Sequence, residues 1–112
     1  MAISPSYDDL FRYNEQYVGK LVYYKGQVIQ VLDVGQDQYQ LRVNVTEGQY
    51  IWQDNTLLLY AGSRFLENDI IEFVGTVIGL ITYKDVLGIP TTIPEISVVQ
   101  AQIVTKAGAQ AY

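Results

Sequence analysis

A run of alternating polar residues carries the side chains best suited to binding. In segment 39–46, Gln40, Arg42 and Asn44 alternate with apolar residues, so a β-strand would place the three polar side chains on one face. The aromatic residues that follow this run are Tyr50, Trp52 and Tyr60. Amides and a guanidinium beside flat aromatic rings have the chemistry to bind nucleic-acid bases or sugar rings.

The residue types that serve most enzymes are missing from this chain. It contains neither cysteine nor histidine, which excludes Ser-His and Cys-His nucleophilic pairs, imidazole general bases, disulfides and the ordinary zinc sites. A hydrolase based on paired carboxylates needs two acids at a defined separation in a cleft, and no spacing here marks such a pair. We therefore predict a protein that is not an enzyme.

Three aspartates in predicted turns offer a calcium site as a weaker alternative. Asp33, Asp37 and Asp85 could converge at one end of the fold and hold a calcium ion through carboxylate oxygens. Their spacing has no EF-hand pattern, and aspartate is frequent in turns because it hydrogen-bonds the local backbone. We predict no metal ion and no cofactor.

Composition and charge narrow the class of partner. Of the 112 residues, 49% are hydrophobic and 17% charged, which suits one folded domain. Twelve acids and seven bases give a net charge of −5, which opposes binding to nucleic acid or to an anionic membrane. No apolar stretch is long enough to span a bilayer, and the first residues lack the pattern of a secretion signal.

The remaining pattern indicates one short helix followed by strands. Residues 6–17 place Leu10 and Phe11 near helical spacing, with Ser6 as the cap and Gly19 after the end. Apolar alternation predicts five strands, at residues 21–34, 39–46, 56–60, 71–80 and 93–104. In the third strand, Leu57 and Leu59 are the predicted inward pair. Residues 82–92 are predicted to form a loop or a small hairpin.

Two segments share one ten-residue pattern. VYYKGQVIQV (22–31) and IEFVGTVIGL (71–80) place Gly26 and Gly75 at the same position. A glycine inside a strand often marks a bend or bulge, and the long strands of a small barrel need such corners. An oligonucleotide/oligosaccharide-binding (OB) barrel has long, bent first and fourth strands, where these segments fall. The sequence therefore predicts an all-β, five-stranded OB-fold Greek-key barrel with a short N-terminal helix; a two-layer sandwich is the alternative.

The predicted domain covers most of the chain. We assign residues 1–5 to a disordered or added start, residues 6–104 to the OB-fold domain and residues 105–112 to a flexible C-terminal tail.

Three longer runs resemble a known group of domains. YVGKLVYYKGQVIQV, RFLENDIIEFVGTVIGLITYKDVLG and TIPEISV resemble little-characterised OB-fold domains of bacterial and archaeal proteins, often secreted or lipid-anchored. The resemblance covers residues 6–104 and rests on glycines, core positions and the acidic turn at 67–69. It implies the barrel fold and an extracytoplasmic setting, and it brings no catalytic or ligand residue.

The predicted ligand surface follows from the barrel. OB barrels usually bind through the outer face of strands two and three and the loops joining strands one to two and four to five. The candidate ligand-binding residues on this surface are Gln40, Arg42, Asn44, Tyr50, Trp52, Tyr60, Tyr83 and Lys84. Because the surface has few bases, we predict a protein partner or self-association, with an open strand edge as one means of contact. Single-stranded nucleic acid and oligosaccharide stay as alternatives.

Overall fold

The structure, a computed structural model, describes residues 1–108 and contains five strands in one sheet. Its elements are helix α1 (Tyr7–Arg12), a 3-10 turn (Asn14–Gln16), β1 (Leu21–Gly35), β2 (Gln38–Glu47), β3 (Trp52–Ala61), β4 (Ile70–Lys84) and β5 (Pro90–Thr105). The prediction of an all-β protein with a short N-terminal helix is confirmed. Within residues 1–108, the helices are too short to cross a bilayer. Residues 109–112 of the predicted tail lie outside the described residues.

Helix α1 begins where the sequence predicts and ends earlier. The Ser6 hydroxyl accepts a hydrogen bond from the Asp9 N–H (3.1 Å), which caps the first turn. Leu10 is fully buried in the core. The helix stops at Arg12 and the chain continues as the 3-10 turn, where the buried Asn14 amide donates to the Leu10 carbonyl (3.1 Å).

Strand β1 connects two parts of the sheet. Its first half, residues 21–27, pairs antiparallel with β4, and its second half pairs antiparallel with β2. Strand β2 pairs antiparallel with β3. Strand β5 lies between β4, its antiparallel partner along most of its length, and β3, with which it forms a short parallel ladder at residues 57–59 and 95–97.

The inner face of the sheet forms one hydrophobic core. Its fully buried members alternate along the strands as the sequence predicts for β1, β2 and β4. The largest of them are Phe73, Leu10, Leu41, Leu58, Ile71 and Ile96. Tyr24 packs beside Phe73, with ring centroids 6.1 Å apart.

The prediction for β3 is wrong by one residue. Thr56 and Leu58 are fully buried, whereas Leu57 and Leu59 lie half-buried on the outer face. The Thr56 hydroxyl donates to the Val43 carbonyl (2.8 Å), so its burial leaves no polar atom unpaired. Three consecutive leucines fit either face, so the pattern of apolar residues does not determine which of them point inward.

Gly26 and Gly75 are both buried and sit where strands approach closely. A Cβ atom at Gly26 would lie 2.5 Å from the Asn44 carbonyl oxygen, and one at Gly75 would lie 2.5 Å from the Ile96 Cγ2 atom. A register shift falls at Gly75, where Val99 of β5 is the extra residue. Another falls in β1 between Val28 and Gln30, where Ile29 is the extra residue.

The first residues pack against β1. The sequence predicts residues 1–5 to be a disordered or added start, but the Ile3 N–H donates to the Leu21 carbonyl (3.1 Å) and the Ile3 carbonyl accepts from the Tyr23 N–H (2.8 Å). The Tyr24 hydroxyl donates to the Pro5 carbonyl (2.7 Å). These bonds extend the sheet by one short parallel bridge.

Candidate functional site

The polar residues of β2 lie on its outer face, as the alternation predicts. Gln40, Arg42 and Asn44 are half-buried, and the intervening Leu41 and Val43 are fully buried. Opposite them on β3, the ladder pairs Gln40 with Leu59, Arg42 with Leu57 and Asn44 with Asn55. The outer face therefore combines amides, one guanidinium and two leucines.

Arg42 is held from two sides. Its Nε donates to the Asn55 Oδ1 atom (2.6 Å), and its Nη2 donates to the Tyr83 hydroxyl. The guanidinium carbon also lies 4.2 Å from the centre of the Tyr83 ring, the geometry of a cation–π contact. Within residues 1–108, Arg42 forms no ion pair with a carboxylate. The site thus presents a positive charge whose partners are all neutral.

Asn55 connects Arg42 to the rest of the outer face. Its amide nitrogen donates to the Asn44 Oδ1 atom (3.0 Å), and the Asn44 amide nitrogen donates to the Trp52 carbonyl (3.1 Å). The Tyr7 hydroxyl donates to the Asn55 carbonyl (2.7 Å). Sequence reasoning missed both Asn55 and Tyr7. Asn55 could be found only from its register opposite Asn44, and that register depends on the length of the β2–β3 turn.

Burial and nearby charge keep Tyr7 neutral. Desolvation, with smaller contributions from Asp54 and Tyr83, raises the pKa of Tyr7 to about 12. Asp54 itself has a positive φ of 72°, a conformation rare for residues other than glycine, and it interrupts the β2–β3 ladder between the Asn55 and Gln53 pairs. Tyr7 therefore keeps its proton, and its hydrogen bond to the Asn55 carbonyl, above the pH at which an exposed tyrosine ionises.

A small cleft opens beside Arg42 on this face. Its volume is about 120 Å³, and its lining contains residues from all five strands. The lining residues are Gln30, Leu32, Gln40, Arg42, Leu57, Ile81, Tyr83 and Ile93. We call this site the cleft. Three of the predicted ligand-binding residues, Gln40, Arg42 and Tyr83, come together here.

The cleft is bordered by the hairpin of β4 and β5, residues 80–94, which we call the arm. Lys84 lies exposed on the arm, and the turn beyond it is built on Asp85. The Asp85 Oδ1 atom accepts hydrogen bonds from the N–H groups of Leu87 (2.8 Å) and Ile89 (2.9 Å). Asp85 thus acts as a turn residue.

The tip of the arm exposes aliphatic side chains. Val86 is 101% exposed, Leu87 79% and Ile89 53%. A hydrogen bond from the Gly88 N–H to the Asp85 carbonyl (2.9 Å) and one from the Asp85 N–H to the Ile89 carbonyl (3.0 Å) close the turn. An ordered turn therefore holds the three aliphatic side chains in water.

Tyr60 lies apart from the cleft. It extends from the inner side of β3, and its ring stacks on Phe65 with centroids 4.8 Å apart. Its hydroxyl donates to the Ser63 carbonyl (2.7 Å), and burial raises its pKa. Its contacts are those of a core residue at the end of the sheet.

Tyr50 and Trp52 lie apart from both the cleft and Tyr60. Together with residues at the end of β5, they line a surface groove of about 530 Å³. The side chains of the groove that carry charge or aromatic rings are Lys25, Glu47, Tyr50, Trp52 and Lys106. The structure thus places Gln40, Arg42 and Tyr83 in the cleft and Tyr50 and Trp52 in this groove. The other predicted ligand-binding residues, Asn44, Tyr60 and Lys84, line neither site.

The arrangement suits binding by contact and hydrogen bonding. Residues 1–108 contain no group of three or more acidic side chains placed to hold a metal ion. Asp33 accepts from the Gly35 N–H (2.8 Å), which makes it a turn residue like Asp85.

Comparison of the sequence with models of protein families gives no match, and comparison with curated proteins gives no significant relative. The resemblance to OB-fold domains rests on the sequence runs alone and stays a prediction.

Proposed function

We propose that this chain is a non-catalytic binding module of the OB type and that its partner is a protein. The order of strand pairing, β1-β2-β3-β5-β4, supports the closed OB barrel because β4 also pairs with β1. On that barrel the cleft and the arm occupy the usual ligand surface. The observation that carries the proposal is the aliphatic tip of the arm, held in water by an ordered turn beside the cleft.

The size of the cleft supports a protein side chain as its occupant. Pockets for small molecules usually measure about 300–1,000 Å³, and the cleft has about 120 Å³. That volume suits one inserted side chain. Partners of a protein interface commonly anchor through single side chains in such pockets.

The residues around the cleft favour the same class of partner. Arginine and tyrosine are enriched among the residues that dominate binding energy in protein interfaces, and Arg42 and Tyr83 meet in the cleft. Because Arg42 has only neutral partners among the described residues, a carboxylate or carbonyl of the partner would gain a charge-assisted hydrogen bond.

The tip of the arm supplies apolar area at low entropic cost. Val86, Leu87 and Ile89 lose little backbone freedom on binding, because Asp85 already fixes the turn. Exposed aliphatic groups of this kind mark contact surfaces when they adjoin a pocket. We therefore place the partner across the cleft and the tip.

Peptide selection tests the proposal directly. A displayed library of random peptides is selected on the immobilised chain, and the Kd of each enriched peptide is measured by fluorescence anisotropy. Leu87→Ser and Arg42→Gln should each weaken binding about thirtyfold, the effect of losing about 2 kcal/mol. Leu66→Ser is the control, since Leu66 is 60% exposed and lies outside the cleft and the arm.

Two outcomes would contradict the proposal. In one, no peptide is enriched, or all three variants bind like the original chain. In the other, a labelled single-stranded oligonucleotide binds tightly at low salt and loses affinity steeply as salt rises, which is the behaviour of a nucleic-acid-binding protein.

A further inference from the structure

We infer that the groove at the β2–β3 turn is a second binding site, and that it takes a short acidic oligosaccharide. The groove lies apart from the cleft and shares no lining residue with it. Its volume of about 530 Å³ falls within the usual range of ligand sites. The inference does not depend on the proposed function of the cleft.

One wall of the groove is an ordered turn with two aromatic side chains. The Gly48 N–H donates to the Ile51 carbonyl (3.0 Å), and the Asn44 amide holds the Trp52 carbonyl. Tyr50 is 88% exposed at the tip, and Trp52 is half-buried at its base. Flat apolar rings beside water are the surfaces on which sugar rings stack.

The opposite wall is anchored by a hydrogen bond to a buried aspartate. It consists of residues 104–106 and Gly108, the last part of the chain that the structure describes. The N–H of Ala107 donates to the Oδ1 atom of Asp69 (2.7 Å), a buried carboxylate that also accepts from the Leu66 N–H (2.8 Å). Lys106 is exposed beside this anchor.

The charge of the groove differs from that of the protein. Its lining holds two bases, Lys25 and Lys106, and one acid, Glu47, although the whole chain has seven bases and twelve acids. Neither lysine forms an ion pair within residues 1–108. Glu72 stands opposite Lys25 on β4, but its carboxylate accepts from the Tyr23 hydroxyl (2.7 Å) and from Gln102. Lys25 attracts the Glu72 carboxylate and helps to lower its pKa, after the larger effect of the hydrogen bonds from Tyr23 and Gln102. Because neither lysine forms a salt bridge within residues 1–108, both ammonium groups can still donate to a ligand carboxylate.

The remaining polar groups match a sugar. Gln27, Gln49 and Asn68 offer amides, and Glu47 offers an acceptor, for the hydroxyl groups of a sugar ring. A nucleic-acid strand offers few hydroxyl groups to these amides and to Glu47, whereas each sugar ring offers more than one, so the polar lining favours a sugar chain. A sugar chain with carboxylates fits the aromatic rings, the amides and the two lysines at once.

The fluorescence of Trp52 can report ligand binding in the groove, because Trp52 is the only tryptophan in the sequence. The intact chain is titrated with a short oligogalacturonate while the emission of Trp52 is recorded. We expect a saturable change in emission, and about hundredfold weaker binding of a neutral malto-oligosaccharide of the same length, since it loses two charge-assisted hydrogen bonds that each contribute about tenfold.

Matched variants localise the binding. Lys25→Gln and Lys106→Gln should each weaken binding of the oligogalacturonate about tenfold. Lys20→Gln, at an exposed lysine outside the groove and the cleft, should leave that binding unchanged. All three substitutions are on the surface, so circular dichroism should show an intact fold. A constant Trp52 emission, equal affinity for the neutral sugar, or tighter binding of an oligothymidylate would overturn the inference. Leu87→Ser, which tests the cleft, should not alter the titration.

Discussion

Arg42 on β2 lies against Tyr83 on β4, with 4.2 Å between the guanidinium carbon and the centre of the ring. In the part of the chain that the structure describes, β2 and β4 share no backbone ladder, since β3 and β5 lie between them on one side and β1 on the other. Side chains alone therefore join the arm to the face of β2. Both residues of this contact line the cleft.

A double-mutant cycle measures the contact between these two residues. We expect Arg42→Gln and Tyr83→Leu to show a coupling of about 1 kcal/mol in the free energy of unfolding, since a cation–π contact and a hydrogen bond are lost together. Urea unfolding of the four proteins gives the value. Arg42→Gln combined with Lys84→Gln is the control and should be additive. Additive behaviour of Arg42 and Tyr83 would show that the arm is held by other contacts.

In β3, Leu58 lies on the inner face and Leu57 on the outer face. We therefore expect alanine substitutions of these two neighbours to destabilise the protein by very different amounts. Leu58→Ala should destabilise the protein by about 2–5 kcal/mol, because Leu58 has no exposed surface and its loss leaves a cavity. Leu57→Ala, at a half-buried position on the outer face, should cost clearly less. Chemical denaturation of the two variants decides the question. Equal losses of stability would mean that β3 does not place Leu58 inward and Leu57 outward.

Much of the fold could be predicted because the alternation of polar and apolar residues is clear in most strands. In β1, β2 and β4 the buried residues are those that alternate in the sequence. In β3, three consecutive leucines hide the phase, and only the ladder with β2 fixes it. Strands β4 (Ile70–Lys84) and β5 (Pro90–Thr105) are longer than the predicted ranges 71–80 and 93–104. The arm continues both strands beyond most of the core. The turn-forming residues Asp85, Gly88 and Pro90 therefore outweighed the short alternation of residues 81–84 and favoured a loop.

The candidate site was predictable in part. Gln40, Arg42 and Asn44 share a face because strand periodicity requires it. The partner Asn55 and the separation of Tyr50 and Trp52 from the cleft depend on turn geometry and on register. Tyr60 lies on the inner side for the same reason as Leu58, since both belong to the face that the leucine run concealed.

Gly26 and Gly75 should tolerate no side chain. A Cβ atom at Gly26 would come within 2.6 Å of the Val43 Cγ1 atom, and one at Gly75 within 2.7 Å of the Ser97 carbonyl oxygen. Gly26→Ala and Gly75→Ala should each cost about 1–3 kcal/mol, the usual effect of overpacking. Thermal and urea unfolding measure the loss. Gln100→Ala, at an exposed position of β5, is the control. A stability like that of the original chain would refute the close approach of these strands.

Stability should fall in alkaline solution, partly because of Tyr7. Burial and the nearby Asp54 and Tyr83 raise the pKa of Tyr7 from 10.0 to about 12, and burial also raises the pKa of Tyr24. Above the unfolded pKa, the unfolded chain loses the phenolic proton while the folded chain keeps it. The unfolded state then binds fewer protons, and the free energy of unfolding falls as pH rises toward the folded pKa.

Removing the Tyr7 hydroxyl group should therefore make the free energy of unfolding fall less steeply as pH rises. Tyr7→Phe should show a shallower decline between pH 10.0 and about 12, and Tyr7→Phe with Tyr24→Phe a shallower one still. At about pH 7–9 the difference between Tyr7→Phe and the original chain should be constant, because tyrosine is neutral there in both states. Urea unfolding across the pH series measures both regions. If the decline kept its slope in Tyr7→Phe, the pKa of Tyr7 would be the same in the folded and unfolded chains, and the burial of Tyr7 beside the outer face would be wrong.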